Sequence, residues 1–77
     1  MPHQPEKTFR IGHCSASVFV NKSGDRSFRS VSLQRRYKDG EEWKSSTSFG
    51  LAELPAAIAV MQMAMTYVAT LEADQNA

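Results

Sequence analysis

The sequence predicts an α+β domain: a curved antiparallel sheet of three to four strands, then one C-terminal helix, paired as a homodimer. Three observations carry this. Every Lys and Arg of the 77 residues lies between Lys7 and Lys44, in a Ser-rich region whose apolar residues alternate as in strands. Residues 54–71 then pass without a single charged side chain. The apolar positions of that run recur at helical spacing over an arc of about 180°, wider than the roughly 100° needed by a helix resting on one sheet. A chain this short buries only roughly 60% of its unfolded surface, and self-association is a common remedy for so thin a core.

Residues 9–20 are small, β-branched or aromatic and read as one strand. Its alternation changes phase, because Phe9 and Ile11 are apolar at odd positions while Ala16, Val18 and Val20 are apolar at even ones. A bulge or bend at Gly12 accounts for the slip. Residues 21–25 form a turn around Gly24. Residues 28–37 form the second strand, with Val31 and Leu33 on one face and Phe28, Ser30, Ser32, Gln34 and Arg36 on the other. Lys38-Asp39-Gly40 is a turn of the Asp-Gly type, and residues 43–49 are a third, Ser/Thr-rich extended segment that Gly50 breaks.

The helix starts between Leu51 and Pro55, since proline is tolerated only in a first turn. Leu54, Ile58, Met61, Met65 and Val68 make one stripe, and Ala57, Val60, Ala64, Tyr67 and Leu71 an adjacent one. One stripe serves the sheet. The second is expected to meet an identical helix across a two-fold axis, which makes Val60, Met63, Ala64, Tyr67 and Leu71 the expected dimer seam. The competing reading is a helix covered entirely by its own sheet. Residues 1–8 are expected as a flexible lead-in, 9–72 as the domain and 73–77 as a flexible tail.

Several function classes are excluded. There is no phosphate-cradling Gly loop, zinc-type Cys pair, HExxH or GxSxG. His13 and Cys14 are adjacent on a strand and cannot converge on one atom, so no metal or cofactor is expected. Pro2 is separated from the first strand by His3 to Lys7 and a second proline, which argues against its use as a catalytic base. The chain is therefore expected not to be an enzyme and to have no small-molecule substrate. Cys14 stands alone, so no intrachain disulfide forms and the cytoplasm is the expected compartment, with nucleoid association left open. The uncharged run contains Pro55, Gln62, Thr66 and Thr70, with Glu53 and Glu72 at its flanks and no Lys or Arg anchor, which argues against a membrane span.

Charge is distributed unevenly. Through Gly50, nine Lys and Arg face Glu6, Asp25, Asp39, Glu41 and Glu42, a net +4; after it only Glu53, Glu72 and Asp74 remain, a net −3. Nonspecific binding of single strands combines a cationic surface with aromatic faces on which bases stack. Arg10, Phe19, Phe28, Arg35, Arg36, Lys38, Trp43 and Lys44 are the residues that fit, with Arg35 and Arg36 not separable at a register uncertain by one. The competing reading is that these charges are simply solvated.

The order of bent strand, hairpin, Asp-Gly-type turn, third strand and single helix resembles the single-strand-binding domain of the transcriptional coactivator family called positive cofactor four. It is similar, more distantly, to Whirly and Pur-type proteins. Phe9-Arg10-Ile11-Gly12, residues 31–37, Gly40-Glu41-Glu42-Trp43-Lys44 and the helix after Gly50 carry the resemblance, over residues 8–71. It implies a dimer joined through the C-terminal helices, with single-stranded DNA lying across the sheets on Arg35 or Arg36, Trp43 and Lys44. The chain departs from that family in its third strand, where Ser45-Ser46-Thr47-Ser48 replaces a segment rich in Lys and Gly. The Arg-Tyr-Lys-Asp-Gly and Ser-Phe-Gly stretches also resemble short bacterial proteins with no established activity. The expected function is binding of single-stranded nucleic acid, DNA ahead of RNA, without sequence specificity. The alternative is a protein-interaction or structural module.

Overall fold

The computed structural model describes residues 4–76, with side chains as far as residue 73. Strands β1 (Lys7–Ile11), β2 (Cys14–Ser23), β3 (Arg26–Asp39) and β4 (Glu42–Ser46) form one antiparallel sheet in the order β1-β2-β3-β4, and helix α1 (Leu54–Asn76) follows. Each hairpin closes through two residues, the first a glycine at positive φ: Gly12 at 59°, Gly24 at 66° and Gly40 at 65°. The closing pairs are Ile11 with Cys14, Ser23 with Arg26 and Asp39 with Glu42. Two-residue turns that open at positive φ match the right-handed twist of the flanking strands.

The α+β class and the order of strands before a single helix are as the sequence predicts. The segment 9–20, expected as one bent strand, is instead β1 and β2 joined at Gly12-His13. A two-residue loop pairs odd residues with even ones, Phe9 with Ala16 and Lys7 with Val18, so the apolar phase must shift across it. Bulge and hairpin leave the same trace in a linear pattern. The third extended segment stops at Ser46, where the Ser48 N–H donates to Ser46 Oγ at 3.0 Å and turns the chain so that Phe49 leaves the sheet and packs on the core. The helix begins at Leu54 with Pro55 in its first turn and runs to Asn76, so most of the expected tail is helical. Lys7 and Thr8, expected in the lead-in, belong to β1; residues 1–3 and 77, the remainder of lead-in and tail, lie outside the described residues.

The core is built from small side chains. Cys14, Ala16 and Val18 of β2 meet Ala57, Val60 and Ala64 of α1, all buried, with Phe9, Ile11, Val31, Leu33, Tyr67 and Val68 half-buried around them. The helix start is fixed by reciprocal bonds: Gly50 N–H donates to Glu53 Oε1 at 3.0 Å, while the Glu53 and Leu54 N–H groups donate to Gly50 O at 3.0 and 3.1 Å. This is one half of a capping box: the Glu53 carboxylate reaches back to the Gly50 N–H, while glycine has no side chain for the Glu53 N–H, which bonds the Gly50 carbonyl instead. Arg35 ties β3 to the same corner, its Nε donating to Ser48 O at 3.0 Å and lying 3.7 Å from Glu53 Oε1. At the other end of the helix, Arg29 grips Glu6 through Nε–Oε1 at 2.8 Å and Nη2–Oε2 at 3.1 Å, and Tyr67, edge-on to Phe9, lies near the same carboxylate.

The expected division of α1 is reversed. Val60 and Ala64 are fully buried against the chain's own sheet and have no surface to offer a partner. Tyr67 is engaged by Phe9 and Glu6, Leu71 is half-buried, and Met63 is exposed on the flank beside β1. The stripe left uncovered is the other one: Ile58 is 56% and Met65 63% exposed, with Leu54 and Met61 also open. These four, with Leu33 and Phe49, line an apolar groove of about 490 Å³. Beside it runs a bare edge, since β4 pairs only with residues 35–39 of β3 and no described strand pairs with residues 26–34 on that side.

Two stability predictions follow from this packing. Ala64→Leu adds methylenes where helix and strand already touch and should cost about 1–3 kcal/mol; at roughly 4–8 °C per kcal/mol for a domain of this size, circular dichroism melts will register it. An unchanged Tm would mean the helix is not seated there. The Arg29 guanidinium holds the Glu6 carboxyl below its ordinary value of 4.5, so its contribution is present above that pH and lost as pH falls through the depressed value. The Tm gap between the unaltered chain and Glu6→Gln should therefore be open near neutral pH and close in acid. Burial and the neighbouring Glu6 charge raise Tyr67 above its ordinary 10.0, so its neutral form adds stability that is full below 10.0 and is lost as pH rises through that raised value.

Candidate functional site

The helix covers one face of the sheet and leaves the other bare of any described element. Alternation along the strands assigns that open face Thr8 and Arg10 from β1 and Ser15, Ser17, Phe19 and Asn21 from β2. From β3 it takes Arg26, Phe28, Ser30, Ser32, Gln34, Arg36 and Lys38, and from β4 Trp43 and Ser45. No Asp or Glu stands among them. The floor is short and polar: Ser15 lies between Arg10 and Gln34, and Ser17 between Thr8 and Ser32. Both serines are buried by their neighbours, and the Thr8 and Ser17 hydroxyls share a 3.3 Å hydrogen bond. Asn21 Nδ2 donates to Ser30 Oγ at 2.8 Å.

Two aromatic stations rise from this floor. On the arm where β2 and β3 run beyond β1 and β4, Phe28 is 54% exposed, opposite Asn21, with half-buried Phe19 opposite Ser30. At the far corner Trp43 is 50% exposed. The Arg36 guanidinium lies 5.2 Å from the Trp43 ring centroid, and the His13 imidazole is 5.7 Å away, tilted by 34°. Phe28 and Arg36 are eight residues apart on β3, a span of roughly 26 Å at 3.3 Å per residue.

The two faces treat their cations differently. On the helix side, Arg29 pairs with Glu6, Arg35 with Glu53, and Lys44 Nζ with Asp39 Oδ2 at 2.9 Å, while Lys7, set over the Phe9 ring, and Lys22 have no carboxylate within ion-pair distance among the described residues. On the open face, Arg10, Arg26, Arg36 and Lys38 have no carboxylate within ion-pair distance among the described residues. Six of the eight predicted contact residues, Arg10, Phe19, Phe28, Arg36, Lys38 and Trp43, therefore share one face. Arg35 and Lys44 do not: both have the parity of Val31 and Leu33 and stand on the helix side, occupied by loop and carboxylate partners. Sequence reasoning missed Arg26 and His13. Extending the β3 alternation back to its first residue finds Arg26, and reading Gly12-His13 as a turn frees His13 from strand parity.

Among the described residues no group of three His, Cys, Asp or Glu side chains is placed to hold a metal. By length and composition alone, the segment Leu54–Ala73 is apolar enough to cross a membrane, and one side of it packs on β2 and β1. The fold and this surface define a class: a ββββα protein with a helix on one face of its sheet and a basic, aromatic, carboxylate-free surface on the other. Comparison of the chain with family models, curated proteins and solved structures returns no match.

Proposed function

We propose that this protein binds single-stranded nucleic acid, DNA ahead of RNA, on the open face of the sheet, without sequence specificity and as a homodimer. The observation that supports this most is the uneven pairing of cations: three of the five facing the helix side are neutralised at Glu6, Glu53 and Asp39, while all four on the open face are left without a carboxylate beside Phe19, Phe28 and Trp43. Cations without carboxylate partners attract phosphates, and exposed rings stack bases whatever the sequence. Short serines between the rings leave room for a backbone to lie close to the sheet. The homodimer is argued from the groove at Leu54, Ile58, Met61 and Met65. It carries no charge, so two copies meet without repulsion, and a two-fold axis buries the same stripe on both.

Fluorescence anisotropy with a labelled oligonucleotide tests the binding. Single strands should bind more tightly than duplex, which hides the base faces. The slope of log K against log salt should reach at most about −3 per protomer, at −0.7 for each of four cations. Arg36→Ala should flatten that slope by about 0.7 for each contacting protomer, whereas Arg35→Ala should lower Tm and leave the slope alone. Trp43→Ala should cost about 1–3 kcal/mol of affinity at nearly constant slope, since stacking releases no counterions. Equal affinity for duplex and single strands, or none at low salt, would refute this reading. The specific observation favouring the second reading, a protein-interaction module, is the bare β3 edge beside the apolar groove, to which an extended peptide could add as a strand.

Analytical ultracentrifugation should give about twice the 8.6 kDa monomer mass. Ile58→Glu or Met65→Glu should return it to monomer with the fold intact, since each puts an unpaired charge in the seam, while Met63→Glu, on the other flank, should not. A monomeric unaltered protein, or one that floats with liposomes, would overturn the dimer.

A further inference from the structure

At the corner where the β1–β2 turn, β3 and β4 meet, Arg10, Gly12, His13, Arg36 and Trp43 line a notch of about 150 Å³. The Arg36 N–H donates to His13 O at 2.9 Å and fixes the turn against β3. We propose that this notch receives the terminal phosphate monoester of a strand lying on the open face, so that the protein prefers phosphorylated ends. The inference rests on the proposed function for the strand and adds the recognition of its end.

Size is the first argument. The notch is well below the roughly 300–1,000 Å³ of sites that enclose a whole small molecule. It matches the share of about five waters at ~30 Å³ each, room for a phosphate group and not for a nucleoside. Charge is the second. Two guanidiniums without carboxylate partners converge there, and guanidinium forks match phosphate oxygens. A monoester carries about −1.5 to −2 charges at neutral pH, more than the single charge of an internal diester, so the pair discriminates in favour of ends. The His13 imidazole brings another N–H donor. Trp43, with Arg36 over its ring, leaves half its surface for the terminal base.

Trp43 is the sole tryptophan of the chain, so intrinsic fluorescence reads this corner directly. One oligonucleotide with a mid-strand dye should be titrated in three forms: 5′-phosphorylated, 3′-phosphorylated and unphosphorylated. One phosphorylated form should bind on the order of tenfold more tightly, the effect of one charge-assisted hydrogen-bonded contact, with a change in Trp43 emission. Arg10→Gln should bring all three to one affinity and His13→Ala should shrink the gap, while Lys38→Gln should weaken all three and keep the ratio. Equal binding of the three ends overturns the notch and leaves the proposed function standing. A preference that survives Arg10→Gln and His13→Ala overturns its location. No oligonucleotide binding, with Trp43 emission unmoved by millimolar inorganic phosphate, overturns both; a response to inorganic phosphate alone keeps the phosphate site and removes the strand.

Discussion

The distance between α1 and β2 governs the rest of the molecule. Ala16 on the strand and Ala57 and Ala64 on the helix have only a methyl each, so the two backbones come close and Val18 and Val60 fill what remains. Interiors packed to crystal-like density do not accept added volume cheaply. The helix is thereby committed to the β1–β2 side of its face, and it cannot also cover the β3 flank. That single commitment produces the bare stripe at Ile58 and Met65, the groove beside Leu33 and the uncovered edge of β3.

The same commitment sorts the charges. Polar groups on the helix side are satisfied where they border a packed seam, as Glu6 and Glu53 are by Arg29 and Arg35, while Asp39 and Lys44 pair in the open at the β3–β4 hairpin end. Nothing comparable constrains the opposite face, where side chains border solvent and the central strand is floored with serines. An uneven linear charge distribution becomes, after folding, two surfaces of different character.

The fold was legible in the alternation of residues 28–37 and in the uncharged run, because both periods are strong and of unlike length. The first hairpin was not, since a bulge and a two-residue turn shift apolar phase alike. The roles of the helix stripes were hidden for another reason. Both are apolar, and a linear pattern carries no information on how near the opposing strand lies; the larger side chains suggested core, yet the alanine-rich stripe took it. The choice between Arg35 and Arg36 was within reach, because Val31 and Leu33 share parity with Arg35 and leave Arg36 with Phe28. His13 is beyond reach of a pattern in which Gly12 is a bulge, because its neighbours then fix it on a strand.

Each strand pairs with its sequence neighbour through a two-residue turn, so each hairpin zips outward from a local contact. Such hairpins close within about 1–10 μs, and low contact order favours fast folding. The docking of α1 is the step that no tight turn starts, since residues 47–53 separate the helix from β4. During synthesis, at about 5–20 residues per second, the last residue of β4 is joined on the order of seconds before the last of the 23 helical residues. Until α1 docks, Ala16, Val18 and Val31 have no cover from the helix. Topology thus separates the quick part of folding from the vulnerable part, and the helix, which follows the whole sheet in the chain, ends the exposure.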